Sequence, residues 1–343
     1  MSNHSNESST YPCQKCLGKK TIYLTFDDGP EPGTLDIYNK LNDLGVPATF
    51  FMVGENVIAS EMGNLNISNM QSIASGFFKQ VFDNALFEIG NHSQTQSHQF
   101  YESFYDAGLR INTQTLSPNA QSSLDSNHIG RRSVLVDFEL ASVAFTHALS
   151  GNPEKYFEDR LKIAEYSYRG DDVSSLFSQY EISYFRFLTS RMPGTPRWRL
   201  PNKKDTAWDW LRDSADRDDE ADDLFTNNHR VYSWDLEWHM DGGSTMSPDV
   251  RQEHLDGKDG WWDHYYSESH KDKDRPEESV QTLFNQTKSH LNGWTTGGQC
   301  VILMHDRQFR SNPDGSNPYI ELLSNFIEKC KDEGFEFDIL ENY

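Results

Sequence analysis

The chain has 343 residues, which allows one large domain or two ordinary ones, and 36% of them are hydrophobic, enough for a sizeable core. Its formal net charge of −22 argues against nucleic acid or an anionic membrane surface as a partner, because both attract basic patches. No stretch approaches the ~18 consecutive apolar residues of a membrane-spanning helix.

Residues 1–19 read as a polar tail that lacks the apolar segment of a signal peptide. The four cysteines, at positions 13, 16, 300 and 330, permit two disulfides in an oxidising compartment, or buried free thiols. These features favour a secreted or periplasmic protein whose leader has been removed, and a cytoplasmic protein is the alternative.

A strand over residues 21–26 opens a regular alternation of strands and helices. The segment "GTLDIYNKLNDLG" (33–45) has apolar residues at helical spacing and ends at Gly45, a typical C-cap. The next segments predict a buried strand in "PATFFMVG" (47–54), a helix within 69–85 and a third strand in "LFEIGNH" (86–92). This order is typical of parallel βαβ units.

The middle of the chain, from about residue 100 to 183, shows helical patterns such as "SVLVDFELASVAFTHAL" and no clear strand rhythm. Strands return in "ISYFRFL" (182–188), "RVYSWDLEW" (230–238), "CVILMHD" (300–306) and "FEFDIL" (335–340). A helix before the last strand ends at Gly334. We therefore predict one α/β domain over 20–343 with a helical insertion at about 100–183.

Polar side chains follow the predicted strands at the end where each strand finishes. They are Asp27 and Asp28; Asn91, His92 and His98; Arg191; Asp235 and Glu237; and His305 and Asp306. A parallel α/β barrel brings the C-terminal ends of its strands together, so these residues are candidates for one shared site.

The segments "TFDDGP", "EIGNHS…SH", "RMPG", "WDLEW" and "LMHD", in this order, resemble the five motifs of the polysaccharide deacetylases with a NodB-homology domain (carbohydrate esterase family 4). The resemblance runs from about residue 20 to the C-terminus and is strongest to the chitin oligosaccharide branch. It implies a distorted (β/α)7-type barrel with long loop insertions. It also implies hydrolysis of N-acetyl groups on N-acetylglucosamine-containing oligo- or polysaccharides.

The same resemblance implies a role for each residue. Asp28, His92 and His98 would hold Zn²⁺, or another divalent metal such as Co²⁺, and Asp27 would act as general base. Arg191 would orient Asp27, and the backbone N–H of Gly194 would face the oxyanion.

On the other side of the implied site, His305 would act as general acid, held charged by a nearby carboxylate. Glu237 and Asp235 both share a strand face by period-two alternation, and Glu237 is the preferred partner. Trp238 and Leu303 are candidates for the wall of an acetyl pocket, and ordinary core packing explains them equally well.

One departure from the family's pattern leaves the metal site open. Five residues separate His92 from His98, where the family has three, and Gln96 occupies the expected position. An insertion that bulges out and restores His98 is preferred, because Gln is an uncommon zinc ligand. Loss of the ligand would instead indicate a carbohydrate-binding protein without catalysis, and a third reading is an O-deacetylase acting on xylan-type polymers.

Overall fold

The fold is described from a computed structural model, which describes residues 18–62, 76–94, 133–159, 187–191, 229–232, 234–238, 276–294, 297–309, 311 and 316–343. Within these residues the strands are β1 Lys20–Gly29, β2 Ala48–Met52, β3 Phe87–Asn91, β4 Thr189–Ser190, β5 Arg230–Val231, β6 Leu236–Glu237, β7 Gly298–His305 and β8 Glu336–Phe337. The helices are α1 Pro32–Leu44, α2 Gly54–Glu61, α3 Phe77–Asp83, α4 Ser133–Leu149, α5 Pro276–Asn292 and α6 Pro318–Asp332.

All of these strands join one sheet in the order β5-β4-β3-β2-β1-β7-β6, and β8 pairs with β1. Each pairing is parallel, which confirms the predicted α/β class. The two edge strands, β5 and β6, are consecutive in the chain and are separated only by residues 232–235. Such a connection spans at most about 18 Å, so the sheet must curl until its edges approach one another, as in a barrel.

One predicted strand is wrong in a way that shapes the barrel. The sequence "RVYSWDLEW" reads as a single strand over 230–238, but the structure breaks it into β5 and β6 at opposite edges of the sheet. The segment contains neither Gly nor Pro to mark the break, and periodicity alone does not reveal it. The structure also adds α2, which the sequence analysis did not predict, and most of 182–188 lies outside the described residues.

Alternate residues of β1 enter two different hydrophobic clusters. Ile22, Leu24 and Phe26 pack with residues of α1 and α6 in the larger cluster, which fills the space between sheet and helices. Tyr23 instead joins the smaller cluster inside the barrel, with Phe51, Tyr232, Val301 and Leu340. The strand is therefore buried on both faces, as expected for a parallel sheet.

The C-terminal residues close the barrel at the end opposite the strand tips. The Leu340 N–H donates to Thr49 Oγ1 at 3.0 Å, and the Glu341 N–H donates to Glu88 Oε2 at 3.2 Å. Thr49 Oγ1 in turn donates to Glu88 Oε2 at 2.7 Å. Glu88 is thus a buried acid that links β2, β3 and the chain end, and burial raises its pKa despite these hydrogen bonds.

Cys300 and Cys330 are free and buried, in agreement with one of the two alternatives for the thiols. Burial raises the pKa of Cys330 to about 12 and that of Cys300 well above its ordinary value. Cys13 and Cys16 lie outside the described residues. Among the helices that the structure describes, none is long and apolar enough to cross a membrane.

Glu88 should make stability decline with pH. Its pKa is raised in the folded state, so between 4.5 and the folded value the folded protein holds more protons and the free energy of unfolding falls as pH rises. Glu88→Gln keeps an oxygen to accept both hydrogen bonds and removes the charge. We expect the variant to lose this decline, about 1.4 kcal/mol for each pH unit between the two pKa values.

Urea unfolding of both proteins at a series of pH values above 4.5 checks this expectation. Glu336→Gln is the matched control, because Glu336 is an exposed acid at the same end of the sheet. If the free energy of unfolding changes with pH in the same way in wild type and Glu88→Gln, then Glu88 does not cause the decline.

Candidate active site

Two adjacent carboxylates, Asp27 and Asp28, stand at the C-terminal end of β1. In a regular strand their side chains would point to opposite faces. Here Asp27 pairs with Phe51 and Gly29 pairs with the next residue, Met52, so Asp28 is an extra residue in a bulge. Asp28 has φ 78°, an uncommon conformation for a residue with a side chain. The bulge turns both carboxylates toward the same imidazole.

That imidazole belongs to His92, the residue that follows β3. Its Nε2 lies 3.4 Å from Asp28 Oδ1 and 3.6 Å from Asp27 Oδ2. Its Nδ1 lies 2.8 Å from the carbonyl oxygen of Arg191, which can only accept, so Nδ1 carries a proton and donates. In the neutral imidazole, Nε2 therefore presents its lone pair to the two carboxylates. All three residues are 1–2% exposed.

Local hydrogen bonds at the end of β3 hold His92 in this place. The Asn91 side chain donates to the Phe138 carbonyl of α4 at 2.7 Å and accepts from the Ser93 N–H at 2.9 Å. The His92 N–H donates to the Met52 carbonyl at 2.9 Å. The turn after β3 is therefore fixed on both sides, which leaves the ring little freedom.

Arg191, directly after β4, is fully buried and ties the same carboxylate to the barrel interior. Its Nη1 donates to Asp27 Oδ1 at 3.1 Å and to Thr25 Oγ1 at 2.6 Å, and its Nε donates to the Tyr232 carbonyl at 3.4 Å. The guanidinium carbon lies 4.4 Å from the ring centre of Phe51. This agrees with the expected orienting role for Arg191 toward Asp27.

Electrostatics in this enclosed space favour an added cation. Burial raises the pKa of Asp27, although the charges of Arg191 and His92 oppose the shift. Burial would lower the pKa of His92, but Asp27 and Asp28 outweigh it and raise that pKa. Two carboxylates face one guanidinium, so the ionised group carries a net charge of −1 before the imidazole takes a proton.

The donors fit the metal that the resemblance implies. Zinc binds carboxylate oxygen and imidazole nitrogen at about 2.0–2.2 Å, so two donors less than about 4 Å apart can touch one ion. The separation of 3.4 Å between His92 Nε2 and Asp28 Oδ1 meets this condition. The third expected ligand, His98, and its alternative, Gln96, lie outside the described residues.

His305 ends β7 beside this cluster. It pairs in register with Asp27 across the neighbouring strands, and it is partly exposed. Glu237 pairs with Leu303, two residues earlier on β7, and these three share the inner face because Leu236 and Ile302 pack outward. The negative charge of Glu237 acts on Arg191, which places that carboxylate inside the barrel near the site.

Two expected site residues are placed elsewhere. Asp235 accepts from the Val301 N–H at 2.8 Å, four residues before His305, so about 13 Å of strand separates it from that histidine. It is therefore not the partner of His305. Trp238 is 2% exposed and packs on Phe309 and Phe326 in the outer cluster, so it does not wall a pocket inside the barrel. Gly194 lies outside the described residues.

The sequence analysis gave no role to Asp306, which the structure buries completely behind the site. Its Oδ2 accepts from Thr34 Oγ1, and its Oδ1 has no hydrogen-bond partner among the described residues. A Cβ on Gly29 would collide with this carboxylate, so glycine is required there. Burial raises the pKa of Asp306 well above its ordinary value. In the sequence, only its position directly after His305 indicated that it lies near the site.

Comparison with known proteins finds several that are similar to this chain. Residues 14–125 match the family profile described as polysaccharide deacetylase. The chitin disaccharide deacetylase of Vibrio alginolyticus is 23% identical over 98% of this chain and 74% of its own length. A chitooligosaccharide deacetylase of Rhizobium leguminosarum bv. phaseoli is 54% identical over 39 residues, which are 11% of this chain and 17% of that protein.

Solved structures resemble the whole chain at low identity. The polysaccharide deacetylase Bc1974 of Bacillus cereus matches with a TM-score of 0.43 and 15% identity, covering 94% of this chain and 92% of that chain. A CE4 esterase of Streptococcus mutans matches with a TM-score of 0.44 and 17% identity, covering 98% of this chain and 95% of that chain.

The Arg191–Asp27 pair should be costly to break from one side only. We expect Arg191→Leu to lower the free energy of unfolding by about 3–5 kcal/mol, because it leaves a buried carboxylate without its cation. The double variant Arg191→Leu/Asp27→Leu should recover part of this loss, because no unpaired charge remains. Urea unfolding of the wild type, both single variants and the double variant, in the presence of a chelator, gives the coupling energy. Strict additivity would contradict a direct ion pair.

Proposed function

We propose that this chain, which carries a polysaccharide deacetylase domain, is a metal-dependent hydrolase that removes N-acetyl groups from N-acetylglucosamine-containing saccharides. The observation that carries the proposal is that Asp28 Oδ1 and Asp27 Oδ2 lie 3.4 and 3.6 Å from His92 Nε2 at the C-terminal end of the sheet. Active sites of parallel α/β barrels lie at that end.

In this proposal Asp28, His92 and His98 hold a divalent ion, with Zn²⁺ first and Co²⁺ as a substitute. When bound, such an ion polarises the amide carbonyl and makes water a stronger nucleophile at neutral pH. Asp28 and His92 contribute ligand atoms that are already close together and buried. The Arg191 carbonyl keeps the proton on His92 Nδ1, so Nε2 is the ligand atom.

Asp27 takes the proton of the attacking water. It lies next to the ligand atoms, and Arg191 Nη1, which also donates to Thr25 Oγ1, fixes its orientation by donating to Oδ1. A base must be ionised to act, and the Arg191 charge favours the ionised form against the effect of burial. The N–H of Gly194 is proposed to donate to the oxyanion.

His305 delivers a proton to the leaving amine from the neighbouring strand. An amine leaves poorly as an anion, so the proton must arrive as the carbon–nitrogen bond breaks. His305 is in register with Asp27, so acid and base stand on adjacent strands on either side of the reacting carbonyl. Glu237 favours the charged imidazole. Leu303, the cross-strand partner of Glu237 on the inner face, is proposed as an apolar contact for the acetyl methyl group.

Chitin oligosaccharides are the proposed substrate class. The support is the relative from Vibrio alginolyticus, a chitin disaccharide deacetylase that aligns with 98% of this chain. Incubation with acetylated chitin oligomers, peptidoglycan and acetyl-xylan, with released acetate as readout, tests the proposal. Acetate from chitin oligomers alone agrees with it, acetate from xylan alone would favour O-deacetylation, and no acetate from any substrate by a metal-loaded protein would favour carbohydrate binding without catalysis.

Asp27→Asn should retain metal and lose activity. The amide keeps the shape of the side chain but cannot accept a proton, and a general base contributes a factor of about 10²–10⁴. Metal content and acetate release, measured on the same preparation, separate the two properties. Asp28→Asn is the matched control, because it should lose metal and activity together. Full activity of Asp27→Asn would remove Asp27 from the mechanism.

Glu237→Gln should move the alkaline limb of the pH–rate profile to lower pH. Removing a neighbouring carboxylate makes the charged imidazole of His305 less favourable, so the acid loses its proton at lower pH. The acid limb, which belongs to Asp27 and the metal-bound group, should stay nearly in place. The pKa values read from the two limbs are macroscopic, so the test compares the shifts of these values between variants.

Asp235→Asn serves as the comparison for this profile, because Asp235 is bound to the Val301 N–H and lies far from His305. We expect both of its limbs to coincide with the wild type. An alkaline limb that moves in Asp235→Asn and not in Glu237→Gln would reverse the assignment of the partner carboxylate.

A further inference from the structure

A second group of metal-ligating side chains lies at the opposite end of β7 from the active site. Cys300 is the third residue of β7, Asp235 directly precedes β6, and His290 is in the last turn of α5. Their ligand atoms all lie within 4.8 Å of one another. Among the residues that the structure describes, no other group of three or more His, Cys, Asp or Glu side chains meets this condition.

The distances within the group suit one ion. His290 Nε2 lies 3.7 Å from Asp235 Oδ1 and 3.0 Å from the carbonyl oxygen of Gln299. Both separations are shorter than the sum of two zinc–ligand distances, about 4 Å. The Gln299 carbonyl can only accept, so without an ion His290 Nε2 carries the proton, and binding requires that proton to move to Nδ1. A single ion can then touch the imidazole, the carboxylate and this carbonyl, and the Cys300 sulfur belongs to the same group of ligand atoms, all within 4.8 Å of one another.

The backbone of the sheet edge explains why the carboxylate and the carbonyl face the histidine. The Val301 N–H donates to Asp235 Oδ2 at 2.8 Å, and the Asp235 N–H donates to the Val301 carbonyl at 2.9 Å. These two bonds fix Asp235 and leave its Oδ1 directed toward His290. Gln299 is two residues before Val301, so its carbonyl emerges on the same edge, beyond the start of β6.

The three side chains of the group differ in their exposure to solvent. Cys300 is fully buried, whereas the side chains of Asp235 and His290 are 14% and 28% exposed. An ion can thus approach from the solvent side and reach the thiol behind the two exposed ligands.

We propose that Asp235, His290 and Cys300, with the Gln299 carbonyl, form a second metal site that binds one zinc-class divalent ion. Four protein ligands and no open position are typical of a structural zinc site rather than a catalytic one. The ion would join α5, β6 and β7 at the base of the barrel. This site does not include Asp28 or His92, so the proposal for it does not depend on the proposed catalysis.

Binding releases a proton and is therefore pH-dependent. The S–H bond of Cys300 breaks, the sulfur keeps the electron pair and bonds to the ion, and the proton leaves to solvent. The proton that His290 Nε2 donates to the Gln299 carbonyl moves to Nδ1, so Nε2 can bond to the ion with no further net release. Burial and the Asp235 charge raise the pKa of this thiol, so in the absence of an ion it is neutral. Affinity should consequently increase with pH.

Cobalt distinguishes the two sites by spectroscopy. Metal-free protein in the Cys13→Ser/Cys16→Ser background is titrated with Co²⁺, and the near-ultraviolet thiolate-to-cobalt charge-transfer band is recorded. The active site has no sulfur ligand and cannot give this band. With one Co²⁺ per chain taken up by the active site, we expect the band to saturate when one further Co²⁺ per chain has bound. The band should persist in Asp28→Asn.

The variants test each ligand. Cys300→Ser should abolish the band, and Cys330→Ser, which removes the other buried thiol, should leave it intact. If Cys300→Ser does not fold, His290→Gln at the more exposed position supplies the test and should weaken cobalt binding at this site by at least ~10-fold. A missing band in the parent background, a band that survives Cys300→Ser, or unchanged affinity in His290→Gln would overturn the proposal.

Discussion

The buried guanidinium of Arg191 is the contact on which the candidate site depends. Its side chain fixes Asp27 and Thr25, while its own carbonyl fixes the tautomer of His92. One residue thus sets the orientation of a proposed base and of a proposed ligand. Burying a cation is expensive, and the cost is offset only because the carboxylate, a hydroxyl and a carbonyl accept its hydrogen bonds and an aromatic ring covers its face.

The bulge at Asp28 solves a geometric problem that a regular strand cannot solve. Adjacent residues of a strand point to opposite faces, so two neighbouring carboxylates cannot serve one site without a break in the alternation. The extra residue and its positive φ supply that break, and the surrounding parallel strands hold it in place. Uncommon backbone conformations of this kind concentrate at functional sites, where the rest of the fold stabilises them.

The sequence predicted the elements whose signals are local. The helix over 133–149 is a long apolar segment, and the strands before Asp27 and His92 are short apolar runs whose ends carry the polar residues that the structure brings together. The sequence analysis failed for features that depend on which strands lie next to each other in the sheet. The break between β5 and β6 and the outward direction of Trp238 follow from which strands pair across the curled sheet, and no pattern within "RVYSWDLEW" encodes that pairing.

The two ends of the barrel hold different groups of side chains. Asp235 and Glu237, although close in sequence, contact different ends. These carboxylates are two residues apart in the sequence, yet Glu237 acts on Arg191 at the candidate site and Asp235 is bound to the Val301 N–H near the base. At the base, the C-terminal residues donate to Thr49 and Glu88, and His290 of α5 lies close to Asp235, beside β6, and to Cys300 of β7. The candidate site combines an uncommon backbone conformation at Asp28 with converging charge, both of which oppose folding. A closed base supplies the compensating stability, and this division is the usual one in parallel α/β barrels.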